Sequence, residues 1–354
     1  MAESLEAIAQ KLVEKPKGIL AMDESSSTIQ KRFDSLGIEN TEENRRAYRE
    51  MIITTRGLGQ YVSGVILFEE TLAQKTRAEK PEYEVPFVQL LECESIIPGI
   101  KVDKGLEDDP DSAGEQLTKG LEDLPQRLKQ YAEQGAQFTK WRAVIHIRGN
   151  ELPTARNVEK SAKRLAQYAI LSQEAGLVPI VEPEVLMDGD HSLERCLDVT
   201  KQVLTTVFRG LAYKGVNFEG MILKPNMVVP GEANKNGYTA QQIADATVQA
   251  LLWSIAKGVP GIAFLSGGLS DEKATAYLSE MNMNQRYNGK LPFNLTFSFG
   301  RGLQREPLKK FAEGYNKETR IFDREFIQEA QRILLKRAEE TSLATLGKYE
   351  PVKA

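Results

Sequence analysis

Gly220-Met221-Ile222-Leu223-Lys224-Pro225-Asn226 is an apolar run that stops at a lysine. The residues before Lys224 suit a strand covered on both faces, as in a parallel sheet packed by helices. Pro225 biases Lys224 toward extended geometry and cannot donate into a continuing ladder, so the strand is expected to end here. A lysine whose stem lies in a strand core and whose amine reaches the rim is poorly solvated. Burial lowers an ammonium's pKa and a neutral amine is a nucleophile, which makes Lys224 the leading candidate for covalent chemistry. The plainer reading is a side chain that snorkels its charge to solvent.

Seven further apolar runs share this pattern: Gly18 to Met22, Val62 to Phe68, Ile96 to Val102, Phe138 to Val144, Leu177 to Val181, Gly261 to Leu265 and Leu295 to Phe299. Each starts far enough after the last to leave room for a loop and a helix. Leu5, Ile8, Ala9, Leu12 and Val13 keep a 3.6-residue period before the first run; Ala162, Leu165, Ala166 and Ala169 follow the fourth, and Ile243, Ala246, Val248 and Leu251 the sixth. Eight strands alternating with helices imply an α/β fold, a closed (β/α)8 TIM barrel, with an N-terminal helix and a C-terminal helical segment. No Gly-x-Gly-x-x-Gly follows the first run, which weakens a dinucleotide-binding reading. No interdomain linker stands out. The expectation is one domain over residues 1–354, with a short C-terminal tail from about residue 344.

Barrel chemistry sits at the C-terminal ends of the strands. Asp23 closes the first run and Lys104 follows the third. Lys140 and Arg142 punctuate the fourth, Glu182 and Glu184 close the fifth, and Lys224 closes the sixth. Ser266-Gly267-Gly268 ends the seventh and Gly300-Arg301-Gly302 the eighth. Charges of both signs at ends that converge on one mouth are hard to explain as separate solvated residues. The last two loops are where barrel enzymes often hold phosphate, on backbone N–H groups that glycines leave accessible and on a forked guanidinium. In Phe138 to Val144, Lys140 and Arg142 alternate with apolar residues and so face the lumen, where an unpaired charge is costly. An internal ion pair with Glu182 or Glu184 answers that cost and is compatible with a catalytic role. Asp23 reads equally well as the N-cap of a helix starting at Glu24-Ser25-Ser26. Asp188-Gly189-Asp190-His191 lacks the rest of a calcium loop and reads as a turn into a helix. The acidic stretch Glu107-Asp108-Asp109-Pro110-Asp111 reads as a solvated loop.

Composition narrows the function classes. A hydrophobic content of 41% with 27% charged residues is that of a water-soluble globular chain, and a net charge of −4 argues against nucleic acid as the main partner. No apolar stretch is long enough to span a bilayer, and Met1-Ala2-Glu3-Ser4 lacks the layout of a secretory signal. Two cysteines, Cys93 and Cys196, make no disulfide framework, which fits a reducing cytoplasm. Two histidines, His146 and His191, cannot build a three-histidine zinc site; any transition-metal site would lean on carboxylates, and acid–base work falls mainly on Asp, Glu, Lys or Tyr.

The strand-end segments resemble class I fructose-1,6-bisphosphate aldolase, the Schiff-base enzyme of glycolysis. The resemblance runs through Gly18-Ile19-Leu20-Ala21-Met22-Asp23-Glu24-Ser25, Asn40 to Arg46, Gly99 to Gly105, Lys140-Trp141-Arg142, Val181-Glu182-Pro183-Glu184, Leu223 to Met227, Phe264 to Gly268 and Gly300-Arg301. It implies that Lys224 forms an iminium with the C2 carbonyl, that Glu182 shuttles protons with Glu184 beside it, and that Asp23 takes the C4 hydroxyl proton. It implies that Lys140 helps keep the Lys224 amine neutral and binds substrate. Ser266, Gly267, Gly300 and Arg301 would hold the C1 phosphate, with Lys104, Arg142, Ser25, Thr28 and Arg32 serving the far hydroxyls and the C6 phosphate. The family needs no cofactor and no metal, because the iminium serves as the electron sink; it acts on sugar phosphates in the cytoplasm and is usually a homotetramer. Two departures stand out: Ser26-Ser27 replaces a common Thr-Gly, and Gly347-Lys348-Tyr349 is followed only by Glu350-Pro351-Val352-Lys353-Ala354, where many members carry a tail ending in a proton-exchanging tyrosine. Another Schiff-base sugar-phosphate aldolase or transaldolase, and a barrel scaffold with a binding role, are the competing readings.

Overall fold

The computed structural model describes residues 3–234, 236–283 and 291–350. Eight parallel strands close into a barrel in the order β1, β10, β9, β8, β7, β6, β3, β2. In chain order these are β1 (Gly18–Met22), β2 (Val62–Leu67), β3 (Ile97–Lys101), β6 (Phe138–Ile145), β7 (Val178–Val185), β8 (Ile222–Leu223), β9 (Gly261–Phe264) and β10 (Asn294–Phe299). Two short hairpins, β4–β5 (Leu106–Asp108, Gln116–Thr118) and β11–β12 (Tyr315–Asn316, Ile321–Phe322), lie outside it. The fold is the TIM barrel that the eight runs predict.

The intervening helices form where the sequence supplies both an apolar stripe and a cap. Ala155–Glu174 buries Val158, Ala162, Leu165, Ala166 and Ala169, and Thr154 caps it by accepting from the Asn157 N–H. Ala240–Ser254 opens on a reciprocal capping box between Thr239 and Gln242. Strand limits differ from the apolar runs where charge enters. β7 extends past Val181 through Glu182-Pro183-Glu184 to Val185, since each lumen-facing carboxylate finds a partner there; β8 is only Ile222–Leu223, with Lys224 just beyond. The Lys224 N–H still donates to the Val181 carbonyl at 2.8 Å, so the nucleophile candidate hangs on the last rung of the ladder.

The stretch from Glu107 to Asp111 is solvated except at Asp109, and it is not all loop. Its first residues form β4, and Asp109 is fully buried against Lys160 (2.6 Å) and the Asn157 amide (3.0 Å) of the helix Ala155–Glu174. Acidic composition alone does not show that one ammonium and one amide wait on a helix far along the chain.

Two cores result. The larger lies between the strands and the helices. The smaller fills the lower lumen, where Ile8, Ala9, Leu12 and Val13 pack against Ile19, Ile66, Phe138, Val178, Ile180, Ile222 and Ala263. The helix Leu5–Leu12 thus stops the bottom of the barrel. A Cβ on Gly261 would stand 2.5 Å from Val13 Cβ, so the strand is bare where the plug seats. The last helix runs from Arg324 to Thr345; beyond it the Tyr349 N–H donates to Ser279 Oγ at 3.2 Å. Of the expected tail, residues 351–354 lie outside the described residues. Among the described residues no helix is long and apolar enough to cross a membrane.

Candidate active site

The strand ends surround a cavity of about 740 Å³, lined by all the residues singled out above: Asp23, Ser25, Thr28, Arg32, Lys104, Lys140, Arg142, Glu182, Glu184, Lys224, Ser266, Gly267, Gly300 and Arg301. Strand alternation sets the centre. Lys140 and Arg142 leave β6 on the lumen side, and Arg142 is in register with Glu182 on β7. Lys140 Nζ lies 2.7 Å from Asp23 Oδ2, 3.3 Å from Glu182 Oε2 and 3.9 Å from Asp103 Oδ2. The other oxygen of Glu182 is 3.5 Å from Lys224 Nζ. One carboxylate therefore stands between two lysine side chains, both of them about 5% exposed. Arg142 pairs with Glu184 through its Nε. Asp23 is not a helix cap: the following helix, Ser26–Asp34, is capped by Ser25, and the Asp23 carboxylate points into the lumen.

Buried charges are tolerable only when paired, and here three lysines (Lys101, Lys140 and Lys224) face three carboxylates (Asp23, Asp103 and Glu182). Burial alone would push the Asp23 carboxyl up, but the Lys140 and Lys224 ammoniums, with the Lys140 hydrogen bond, hold it well below the usual carboxylate range. Burial likewise works against the Lys140 charge, and Asp23, Glu182 and Asp103 together overcome it and keep the ammonium firmly protonated. Arg142 is biased the same way: burial opposes its charge and Glu184 leads in restoring it.

The glycine loops meet on one wall. Gly267 takes a left-handed backbone (φ 54°), and its carbonyl accepts from Arg301 at 2.6 Å. Gly300 begins the helix Arg301–Glu313, whose first N–H groups lack intrahelical acceptors and favour an anion. Beside it, after the neighbouring strand β1, the Ser25 hydroxyl lies 3.0 Å from Ser27 Oγ and 3.1 Å from Thr28 Oγ1. Arg32 is held by Glu24 at 2.5 Å. Lys104 is half exposed at the rim and paired with Asp123 at 2.6 Å.

Sequence reasoning missed five residues here. Asp103 and Lys101 pair at 2.9 Å; they alternate across Val102 as Lys140 and Arg142 do across Trp141, and that signal was available. Ser298, 1% exposed, lines the cavity with a hydroxyl that has no partner among the described residues. Glu24 and Gln304 carry no sequence signal, because a buried polar pair is visible only once two distant segments meet. His191 is buried and His146 half-buried, and neither lines the cavity. Among the described residues no cluster of three or more His, Cys, Asp or Glu side chains could hold a metal ion; the carboxylates converge on ammoniums, not on one another.

Residues 4–354 match a family model described as fructose-bisphosphate aldolase class-I. A probable class 1 fructose-bisphosphate aldolase of Xanthomonas campestris is 46% identical over 348 residues, 98% of this chain and 99% of that one. The fructose-bisphosphate aldolase of Plasmodium falciparum is 47% identical over 351 residues, 99% of this chain and 90% of that one. The cytosolic fructose-bisphosphate aldolase 4 of Arabidopsis thaliana is 47% identical over 334 residues, 94% and 80% of the two chains. A solved structure of the P. falciparum aldolase, in complex with TRAP and a small-molecule inhibitor, superposes with a TM-score of 0.91 at 46% identity, covering 98% of this chain and 95% of that chain.

Proposed function

The chain belongs to the class I fructose-bisphosphate aldolases, a lyase family, and from that premise we propose that it cleaves fructose 1,6-bisphosphate through a Schiff base on Lys224. The observation that carries the reading is the placing of one Glu182 oxygen on Lys224 and the other on Lys140. Attack by an amine on the C2 carbonyl needs a group to remove its proton and then to protonate the departing hydroxyl. Glu182 is within reach of both tasks. The permanent charge of Lys140 stabilises the oxyanion that forms on C2 before water leaves.

Cleavage then turns on Asp23. A carboxylate held so low is always ionised but is a weak base. Its basicity rises during the step itself: as the C4 hydroxyl gives up its proton, the C3–C4 bonding pair moves into the iminium and cancels the positive charge on the Lys224 nitrogen. One of the three cations that depress Asp23 thus disappears as the proton arrives, and glyceraldehyde 3-phosphate leaves an enamine behind. Protonation of that carbon and hydrolysis release dihydroxyacetone phosphate. Ser266, Gly267, Gly300 and Arg301 bind the C1 phosphate in this scheme. Lys104, Arg142, Ser25, Thr28 and Arg32 receive the far hydroxyls and C6 phosphate, and Glu184 holds the Arg142 fork in place. The working form is a single-domain protomer in a cytoplasmic tetramer, which sedimentation of the purified enzyme tests separately.

Borohydride reduction in the presence of dihydroxyacetone phosphate is the direct check. The adduct should fall on the peptide holding Lys224, and a Lys224→Met variant should trap none. Trapping at another lysine would sink the mechanism.

A further inference from the structure

Gln304 is wholly buried in the helix Arg301–Glu313 and does not line the cavity, yet its side chain joins the loops that leave the neighbouring strands β1 and β10, just past their last paired residues. Its amide nitrogen lies 2.7 Å from the Ala21 carbonyl, 3.0 Å from Glu24 Oε1 and 3.3 Å from the Gly300 carbonyl. Its oxygen accepts from the Tyr48 hydroxyl at 3.0 Å. The three neighbours of the nitrogen can only accept, which fixes the orientation of the amide. Ala21 and Glu24 stand on either side of Asp23 in the chain, and Gly300 opens the helix that carries Arg301.

We infer that Gln304 is a positioning residue: one buried amide sets the span between the Asp23 carboxylate and the Gly300-Arg301 phosphate cradle. The substrate's C4 hydroxyl then meets Asp23 when its C1 phosphate is seated; this rests on the Schiff-base reading above. Two further observations support it. The two strand ends touch at this point, since a Cβ on Gly300 would stand 3.0 Å from the Ala21 carbonyl oxygen. The acceptor is also immobile, because buried Glu24 is pinned by Arg32 at 2.5 Å and by Arg49 at 2.7 Å. A residue that merely satisfied buried carbonyls would matter to stability alone. A spacer matters to one chemical step.

The two roles separate because dihydroxyacetone phosphate needs Lys224 and the cradle but not Asp23. Gln304→Met keeps the volume and removes both donors. With fructose 1,6-bisphosphate its kcat should fall on the order of 10²-fold with little change in KM, while trapping of dihydroxyacetone phosphate at Lys224 stays within about twofold in extent and half-saturation. Tyr48→Phe removes only the hydroxyl that orients the amide and should lower kcat by about fivefold, again without touching trapping. The inference is overturned if trapping weakens in step with kcat in both variants, or if the melting temperature drops while both activities stand. A wild-type enzyme that traps nothing at Lys224 would instead refute the Schiff-base reading, whatever Gln304 does.

Discussion

Glu182 divides its two oxygens between two lysines, and that division orders what single substitutions at the mouth should do. Asp23→Asn removes the nearest counter-charge of Lys140 and the group assigned to the C4 proton, while leaving Glu182 on Lys224. Trapping of dihydroxyacetone phosphate should survive, and cleavage of fructose 1,6-bisphosphate should fall by roughly 10²- to 10⁴-fold, which stopped-flow and borohydride assays on one preparation would read side by side. Acid should spare this pairing. The folded Asp23 pKa is depressed, so its stabilising contribution is complete above the unfolded value near 3.9 and is lost only below the ordinary carboxylate range. At this scale the sequence was readable wherever a charge interrupted an apolar run, as at Lys140, Glu182 and Lys224. It was silent at Ser298 and Gln304, whose polarity is ordinary and whose importance comes only from what they are buried against.

Among the elements, the β4–β5 hairpin forms the cavity rim around Lys104, with the Lys104 and Lys119 N–H groups bonded across its base. It is moored to the helix Ala155–Glu174 by Asp109 on Lys160 and Asn157. Burial opposes the Asp109 charge, but the Lys160 and Asn157 hydrogen bonds lower its pKa to about 2. The sign follows: the stabilisation is fully present above the unfolded value near 3.9 and disappears as pH falls toward about 2. Asp109→Asn should cost about 2 kcal/mol in urea unfolding at neutral pH, and the gap from wild type should close between about pH 4 and pH 2. Strand existence was legible from apolar runs. Strand length was legible only in part: β8 ends where Lys224-Pro225 predicts, whereas β7 outlasts its apolar stretch because its carboxylates find partners on β6. Charge along an element ends a run in sequence but not in a barrel whose lumen supplies the opposite charge.

At the scale of the molecule, the N-terminal helix is as much part of the barrel as any strand. Leu12 is fully buried beneath the lumen, so Leu12→Ala should cost 2–5 kcal/mol in denaturant unfolding, the upper part of that range if the surrounding Ile and Phe side chains cannot collapse into the space. The periodicity of residues 5–13 announced a helix but not its seat, since nothing in one amphipathic stripe distinguishes an outer helix from a stopper.

Among the described residues the barrel is sealed below and opens only at its mouth, so whatever goes in must come out the same way. The ketose half of the substrate would be tied to Lys224 by a covalent bond, while the aldehyde half would be held only by contacts. The aldehyde should therefore depart first and the ketone last, a queue imposed by the plugged floor and the tether together. Product inhibition would show it: dihydroxyacetone phosphate should compete with fructose 1,6-bisphosphate for the empty enzyme, whereas glyceraldehyde 3-phosphate should act on the enzyme that still carries its tethered partner.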